Sequence, residues 1–355
     1  MGGQTGSNNA ITDVPGVEVG YHTIIRDAAS RAPSTAVRTG VTAILPRGKQ
    51  TRMHPIWAGT FSLNGNGEMT GVHWIADGGY FLGPVCITNT HSVGIVHDAA
   101  VRWMLLQYKE QFDEQHLWAL PVVAETYDGV LNDINGQHVR AEDALRAIAS
   151  ATAGPVAEGN VGGGTGMICY GFKGGSGTSS RLVEIAGTAY HVGAFVQANF
   201  GLREQFTVLG VPVGRHLPQT ALDDRERGSV IVVIGTDIPM LPHQLRRVAK
   251  RAALGIARTG TSSGNSSGDI FLAFSTANEM EIPQSAAAHL RMDFVNDEAF
   301  DPIYDATCAA VEESVVNALL AAEPMTAVRP AGLVVPALDS NELLAIMRRY
   351  GRIPS

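Results

Sequence analysis

Residues 227–239 read RGSVIVVIGTDIP, and the fold is decided here. From Val230 to Ile234 the chain is an unbroken run of β-branched apolar residues, the pattern of a strand covered on both faces and so of a sheet inside a layered α/β protein. Ser229 stands at the mouth of that strand and Gly228 precedes it. The stretch from Phe200 to Gly228 is polar and contains prolines, with charges crowded into its end, TALDDRERG, and it reads as an exposed, mobile connection. A Gly-Ser pair entering a strand can be an ordinary turn. The other reading is chemical. A serine hydroxyl is a poor nucleophile without a base. Breaking the bond before Ser229 would release an α-amino group with a reference pKa of about 7.7–8 beside the hydroxyl, giving nucleophile and base in one residue. Gly228, lacking a Cβ, would tolerate strained backbone angles and let the hydroxyl reach the preceding carbonyl.

Outward from the junction, residues 241–260 read as a helix with Pro242 in its first turn and Gly260 at its end. The Ser/Gly loop TSSGNSSGD (261–269) leads into a strand, and residues 301–323 and 341–351 read as further helices. On the other side, short apolar runs bounded by turn residues predict strands at 17–23, 40–46, 85–90, 93–98 and 120–126, with helices over 98–112 and 141–153. Residues 159–180, GNVGGGTGMICYGFKGGSGTSS, are rich in glycine but lack the Lys-Ser/Thr pair that opens a helix in a phosphate-binding loop. MICYGF (167–172) instead reads as another strand, and 181–201 as strands beyond it. No repeat and no separating linker is present, so one intertwined domain over 1–355 is expected.

The 355 residues, 45% of them hydrophobic, suffice for a large core, and a net charge of -8 offers no field for a nucleic-acid backbone. No basic-then-apolar leader and no apolar run of membrane-spanning length is evident, so membrane insertion and export are not expected and the cytoplasm is. Cys86, Cys169 and Cys308 are far apart, without paired or metal-binding spacing, and read as buried free thiols. His91, His97, His138 and His191 are scattered, and neither a metal nor a cofactor is called for. Asn64, Asn66, Glu68 and His91 lie in glycine-rich surroundings where they could line a pocket or form turns.

Five segments in order, ITDVPGVEVGYHT (11–23), GNVGGGTGMICYGFKGGSGTSSR (159–181), VQANFG (196–201), RGSVIVVIGTDIP (227–239) and SSGDIFLAFSTAN (266–278), resemble the family of L-aminopeptidase/D-Ala-esterase/amidases and β-peptidyl aminopeptidases. The resemblance implies a four-layer αββα sandwich on the plan of the N-terminal-nucleophile hydrolases. It also implies self-cleavage into an α-chain, 1–228, and a β-chain, 229–355, assembled as a homotetramer. Residue by residue, it makes Gly228 and Ser229 the cleavage site and Ser229 the nucleophile. Ser267 and Asp269 become the pair contacting the freed α-amine, where a hydroxyl and a carboxylate can orient and tune it. Asn199 becomes the amide donor to the oxyanion and Tyr127 a phenol that adds a second hydrogen bond. Glu125 becomes the carboxylate that holds the free N-terminus of a short peptide, amide or ester substrate. Two other readings remain: acyl transfer to an amine, as in the ornithine acetyltransferases, which use a threonine, and a binding protein whose Gly228–Ser229 bond stays intact.

Overall fold

The computed structural model describes residues 1–27, 35–219 and 228–353, so the charged stretch 220–227 expected to be a mobile connection lies outside the described residues. Strands are β1 (Glu18–Arg26), β2 (Val37–Leu45), β3 (Ile56–Gly65), β4 (Tyr80–Phe81), β5 (Val85–Asn89), β6 (Val122–Thr126), β7 (Ile168–Cys169), β8 (Phe172–Lys173), β9 (Gly175–Ile185), β10 (Thr188–Asn199), β11 (Ser229–Thr236), β12 (Gly268–Ser275), β13 (Met325–Thr326) and β14 (Val334–Val335). Helices are α1 (Val72–Gly78), α2 (Val93–Gln107), α3 (Lys109–Glu114), α4 (Ala141–Ala149), α5 (Pro242–Ala257), α6 (Asp301–Leu320) and α7 (Ser340–Arg349). One sheet runs β1-β2-β5-β6 and a second runs β4-β3-β12-β11-β10-β9.

The run read as a strand buried on both faces is β11, and its alternation builds the layers. Val230, Val232 and Ile234 enter the core shared with α5 and α6, while Ile231 and Val233 enter the core between the sheets. Each such side chain contributes about 1.5–3 kcal/mol by leaving water. A third core, with Val41, Ala43, Cys86 and Val123, lies under α2 and α4. Helix, sheet, sheet, helix is therefore the order of layers. On α5, Leu245, Val248, Ala249, Ala252 and Ile256 recur at helical spacing and bury one face, and the Leu241 N–H is capped by Gln244 at 3.0 Å.

Three local expectations are corrected. Residues 93–98 are the start of α2 and not a strand: Asn89 accepts the His91 N–H and turns the chain, and Val96, Ala99, Ala100 and Met104 then bury at helical spacing. Residues 167–172 form the tight hairpin β7-β8, turned by Tyr170 and Gly171, both at positive φ (52° and 68°), as a type I′ connection requires. The stretch from Phe200 to Leu217 contributes to the core: Phe200, Phe206, Val208, Val211, Val213 and Leu217 are buried, and the Arg203 guanidinium lies 3.3 Å over the Phe172 ring while donating to the Tyr170 and Gly171 carbonyls. Polar composition concealed this, because an arginine whose donors are satisfied and whose plane is stacked can be buried.

Candidate active site

Strand register assembles the site. β11 lies antiparallel to β10, with Ser229 opposite Asn199, and parallel to β12, with Val230 beside Asp269. Ser229 is buried, and its Oγ accepts the Gly268 N–H at 3.3 Å. Gly228 is not among the residues at positive φ. Its need for glycine is one of close approach, since a Cβ there would overlap the Asn199 carbonyl oxygen and lie 2.6 Å from that carbonyl carbon and 2.9 Å from Phe200 Cα.

On the β12 side, the Ser267 hydroxyl donates to Asp269 Oδ1 at 2.6 Å and the Ser263 hydroxyl donates to Oδ2. Ser267 and Asp269 are both buried. With its proton committed to Asp269, the Ser267 oxygen presents lone pairs to any third group, the state suited to accept from an amine. The loop carrying them is braced from β3: the Asn64 amide donates to the Ser263 carbonyl, the Ser263 Oγ and the Gly264 carbonyl at 3.0–3.1 Å, and the Asn66 amide donates to the Ser266 carbonyl at 2.6 Å. Of the two roles open to Asn64 and Asn66 in the sequence, bracing a turn is the one their side chains take.

On the β10 side, Asn199 Oδ1 accepts the Ile168 N–H at 2.8 Å, which orients the amide so that Nδ2 donates to the Tyr127 main-chain carbonyl at 3.0 Å. Tyr127 thus joins the site through its backbone. Its side chain is 41% exposed, lies against Gly129, and makes no hydrogen bond among the described residues. Glu125, at the end of β6 in the other sheet, is buried: Oε1 accepts the Glu68 N–H at 3.0 Å and Oε2 accepts the Thr90 hydroxyl. Burial raises its pKa, opposed by those two hydrogen bonds and by His91. Gly67 links the sheets: a Cβ there would meet Glu125 Oε1 at 3.2 Å and Gly268 Cα at 3.3 Å. The acid from one sheet and the Gly268 N–H on Ser229 from the other are therefore separated by one glycine. Gly67 also lines a cavity of about 780 Å³, together with Ser62, Gly65, Glu68, His73, Arg246 and Ile270.

Sequence reading missed Gly268, Ser263 and Thr90, which hold Ser229, Asp269 and Glu125. Thr90 was detectable only as a hydroxyl at a strand end and Ser263 only as one in a Ser/Gly loop, signals shared with many turns. The Cys86 thiol is pushed up to about 12 by burial and is no nucleophile. Among the described residues no group of three His, Cys, Asp or Glu side chains could hold a metal ion, and no helix is long and apolar enough to cross a membrane.

Two facing sheets that carry helices on their outer faces have the layer order of the N-terminal-nucleophile hydrolase fold, and the chain is a serine-type hydrolase of that fold. The sequence profile of peptidase family S58 matches residues 9–331. The chain belongs to peptidase family S58. It is 49% identical to the beta-peptidyl aminopeptidase BapA of Sphingosinicella microcystinivorans, over 99% of this chain and 90% of that protein. Among solved structures it is similar to the L-aminopeptidase D-Ala-esterase/amidase of Ochrobactrum anthropi (TM-score 0.96, 52% identity, 100% and 97% of the two chains). That protein is described as a prototype for the serine aminopeptidases and a variant of the N-terminal-nucleophile hydrolase fold. A Burkholderia sp. beta-aminopeptidase superposes with a TM-score of 0.90 at 45% identity, over 100% and 97% of the chains.

Proposed function

We propose that this serine aminopeptidase is made as a precursor, cuts itself between Gly228 and Ser229, and then releases N-terminal α- or β-amino acids from short peptides, amides or esters. In processing, Ser229 Oγ attacks the Gly228 carbonyl and the C–N bond breaks. The resulting ester is hydrolysed by water, leaving a carboxylate on 1–228 and a free amine on 229–355. In turnover, the same hydroxyl attacks the carbonyl of the substrate's first residue. Its proton passes to the Ser229 amine and on to the leaving amine, and water then hydrolyses the acyl-enzyme. Asn199 Nδ2 carries a second N–H for the oxyanion, and Tyr127 supplies a further donor there once substrate draws its phenol in. Ser267 and Asp269 orient the amine, and Glu125 pairs with the substrate's ammonium, so N-acylated peptides are refused.

The observation that carries this reading is the placement of the Ser229 hydroxyl at the Gly268 N–H and opposite Asn199, directly after a glycine with no room for a side chain. Relatives named for β-peptide, L-aminopeptide and D-Ala-ester substrates support the substrate class. The processed αβ units assemble as a homotetramer in the cytoplasm, a compartment that suits three buried free thiols; light scattering on processed protein checks the assembly. Intact-mass measurement of wild type beside Ser229→Ala tests the chemistry. Two chains that sum to the 37.5 kDa precursor plus one water, the smaller beginning at Ser229, with the variant whole and inactive, are expected. A whole wild-type chain that still turns over aminoacyl amides would sink the assignment, and one that is whole and inert would favour a binding protein.

A further inference from the structure

Between Tyr127 and the glycine-rich turn lies a carboxyl that the reaction does not use. Asp128 is buried; its Oδ1 accepts from the Asn132 amide at 2.9 Å, and its Oδ2 is buried with no hydrogen-bond partner. An unpartnered oxygen is tolerable on a neutral acid and costly on a buried anion. The groups facing it are neutral: Thr39 from β2, Asn89 from the end of β5 and Asn132 of its own turn. The charged residues around it are engaged elsewhere: Arg38 of β2 on Asp27 and the Arg26 carbonyl, Asp133 on His138 and Arg329, Glu125 on the Glu68 N–H and Thr90, and Lys173 on the Gly164 and Gly174 carbonyls. The turn over Gly162–Gly166 closes the space. A Cβ on Gly166 would lie 2.8 Å from Asp128 Cβ and overlap the Arg38 carbonyl oxygen. The segment whose glycines resemble a phosphate-binding loop is thus a plug over this acid.

Both neighbours of Asp128 in the network belong to the site. The preceding carbonyl, of Tyr127, holds the Asn199 amide. Asn89, which donates to Thr39 at 2.8 Å, caps the turn whose Thr90 hydroxyl holds Glu125. We propose that Asp128 is a positioning residue that works as a neutral carboxylic acid, and that losing its proton loosens the hold of residues 125–128 on Asn199 and Glu125. Burial, outweighing the hydrogen bond from Asn132 and the polar Thr39 and Asn89 side chains nearby, lifts its pKa to about 7, so the switch falls in the working range.

The inference rests on the reading of Asn199 and Glu125 as site residues. The test is kcat/KM for an aminoacyl anilide between pH 5.5 and 9.5, on processed wild type, Asp128→Asn and Asp128→Ala. Asparagine imitates the neutral acid, so the ratio of Asp128→Asn to wild type should rise at least about tenfold between pH 6.5 and 9. Alanine, which frees Asn132, should be slower at every pH, mainly in kcat. A ratio for Asp128→Asn that stays flat across pH overturns the proposal. Should that variant fail to fold, infrared spectra of wild type labelled with 13C at aspartate side chains decide: a carboxylic-acid band titrating near pH 7 supports the proposal, and carboxylates all titrating below about 5 overturn it. These measurements need only turnover, whereas Ser229→Ala tests the nucleophile, so either reading can fail alone.

Discussion

Gly228→Ala is the substitution whose outcome the structure constrains most tightly. The added Cβ would lie 2.6 Å from the Asn199 carbonyl carbon, where relaxed carbon contacts are roughly 3.5 Å. Because the Cβ would also overlap the Asn199 carbonyl oxygen, the start of β11 and the end of β10 must then part by more than about 1 Å at the pair that joins Ser229 to Asn199. Misplacement of reacting groups on that scale costs about 100-fold in rate. Self-cleavage of Gly228→Ala should therefore slow about 100-fold, while the hydrophobic layers, fixed by residues deeper along β11, remain. The assay is the fraction of intact precursor against time by mass spectrometry, with thermal unfolding recorded in parallel. Gly94→Ala is the control. It lies in α2 with nothing within 4 Å of an added Cβ, so it should process normally and gain about 0.5–1 kcal/mol of stability. A Gly228→Ala precursor that disappears at the wild-type rate refutes the argument that close approach to Asn199 positions the nucleophile.

Glu125→Gln keeps the Glu68 N–H and Thr90 contacts but removes the anion, so kcat/KM for free-amine substrates should fall by about 2–5 kcal/mol, about 30-fold to several thousandfold, chiefly through KM. Because burial raises the Glu125 pKa in the folded state, the charged form destabilises the fold as pH rises. The glutamine variant should therefore be no less stable at pH 8, and a large drop in its melting temperature would contradict this. Lys173 has the opposite sign. Burial lowers its pKa to about 7 while its Nζ donates to the Gly164 and Gly174 carbonyls. The unfolded chain binds the extra proton between that value and the ordinary lysine value, so wild-type stability relative to Lys173→Met should rise by about 1.4 kcal/mol per pH unit from 7 toward 10. Denaturant titrations at pH 7 and 9.5 check this, and equal differences at the two pH values would rule it out.

How far the site could be read from the sequence follows from the range over which each signal acts. The strand β11, the helix α5 and the serine between linker and strand are written in contiguous residues, because burial on two faces demands an unbroken apolar run and burial on one face demands helical spacing. Local pattern misled where two signals overlapped. Residues 93–98 carry an apolar run that suits a strand, and only continuation of the helical period through Met104 resolves it. In the stretch 203–217 the charged Arg203 is buried with the apolar residues, because it finds carbonyls and a ring that lie elsewhere in the chain. Tyr127 was expected to act through its phenol, and the hydrogen bond the structure shows is one its main-chain carbonyl accepts from Asn199.

The sequence by itself determined that β11 is a strand covered on both faces, that α5 buries one face, and that a glycine precedes Ser229, since hydrophobic periodicity and the absence of a Cβ are properties of single segments; the four-layer order was implied only by resemblance to a family. The tertiary structure decided which groups meet Ser229. Asn199 arrives by the antiparallel register of β10, Gly268 and Asp269 by the parallel register of β12, and Glu125 from a different sheet across Gly67. Register is set by side-chain packing between strands distant in the chain, and a slip of one residue would turn each group to the opposite face. The state of Asp128 is likewise a product of assembly: the same carboxyl is ordinary in an exposed turn, and its pKa rises to about 7 only when burial beneath the Gly162–Gly166 turn outweighs the polar groups beside it.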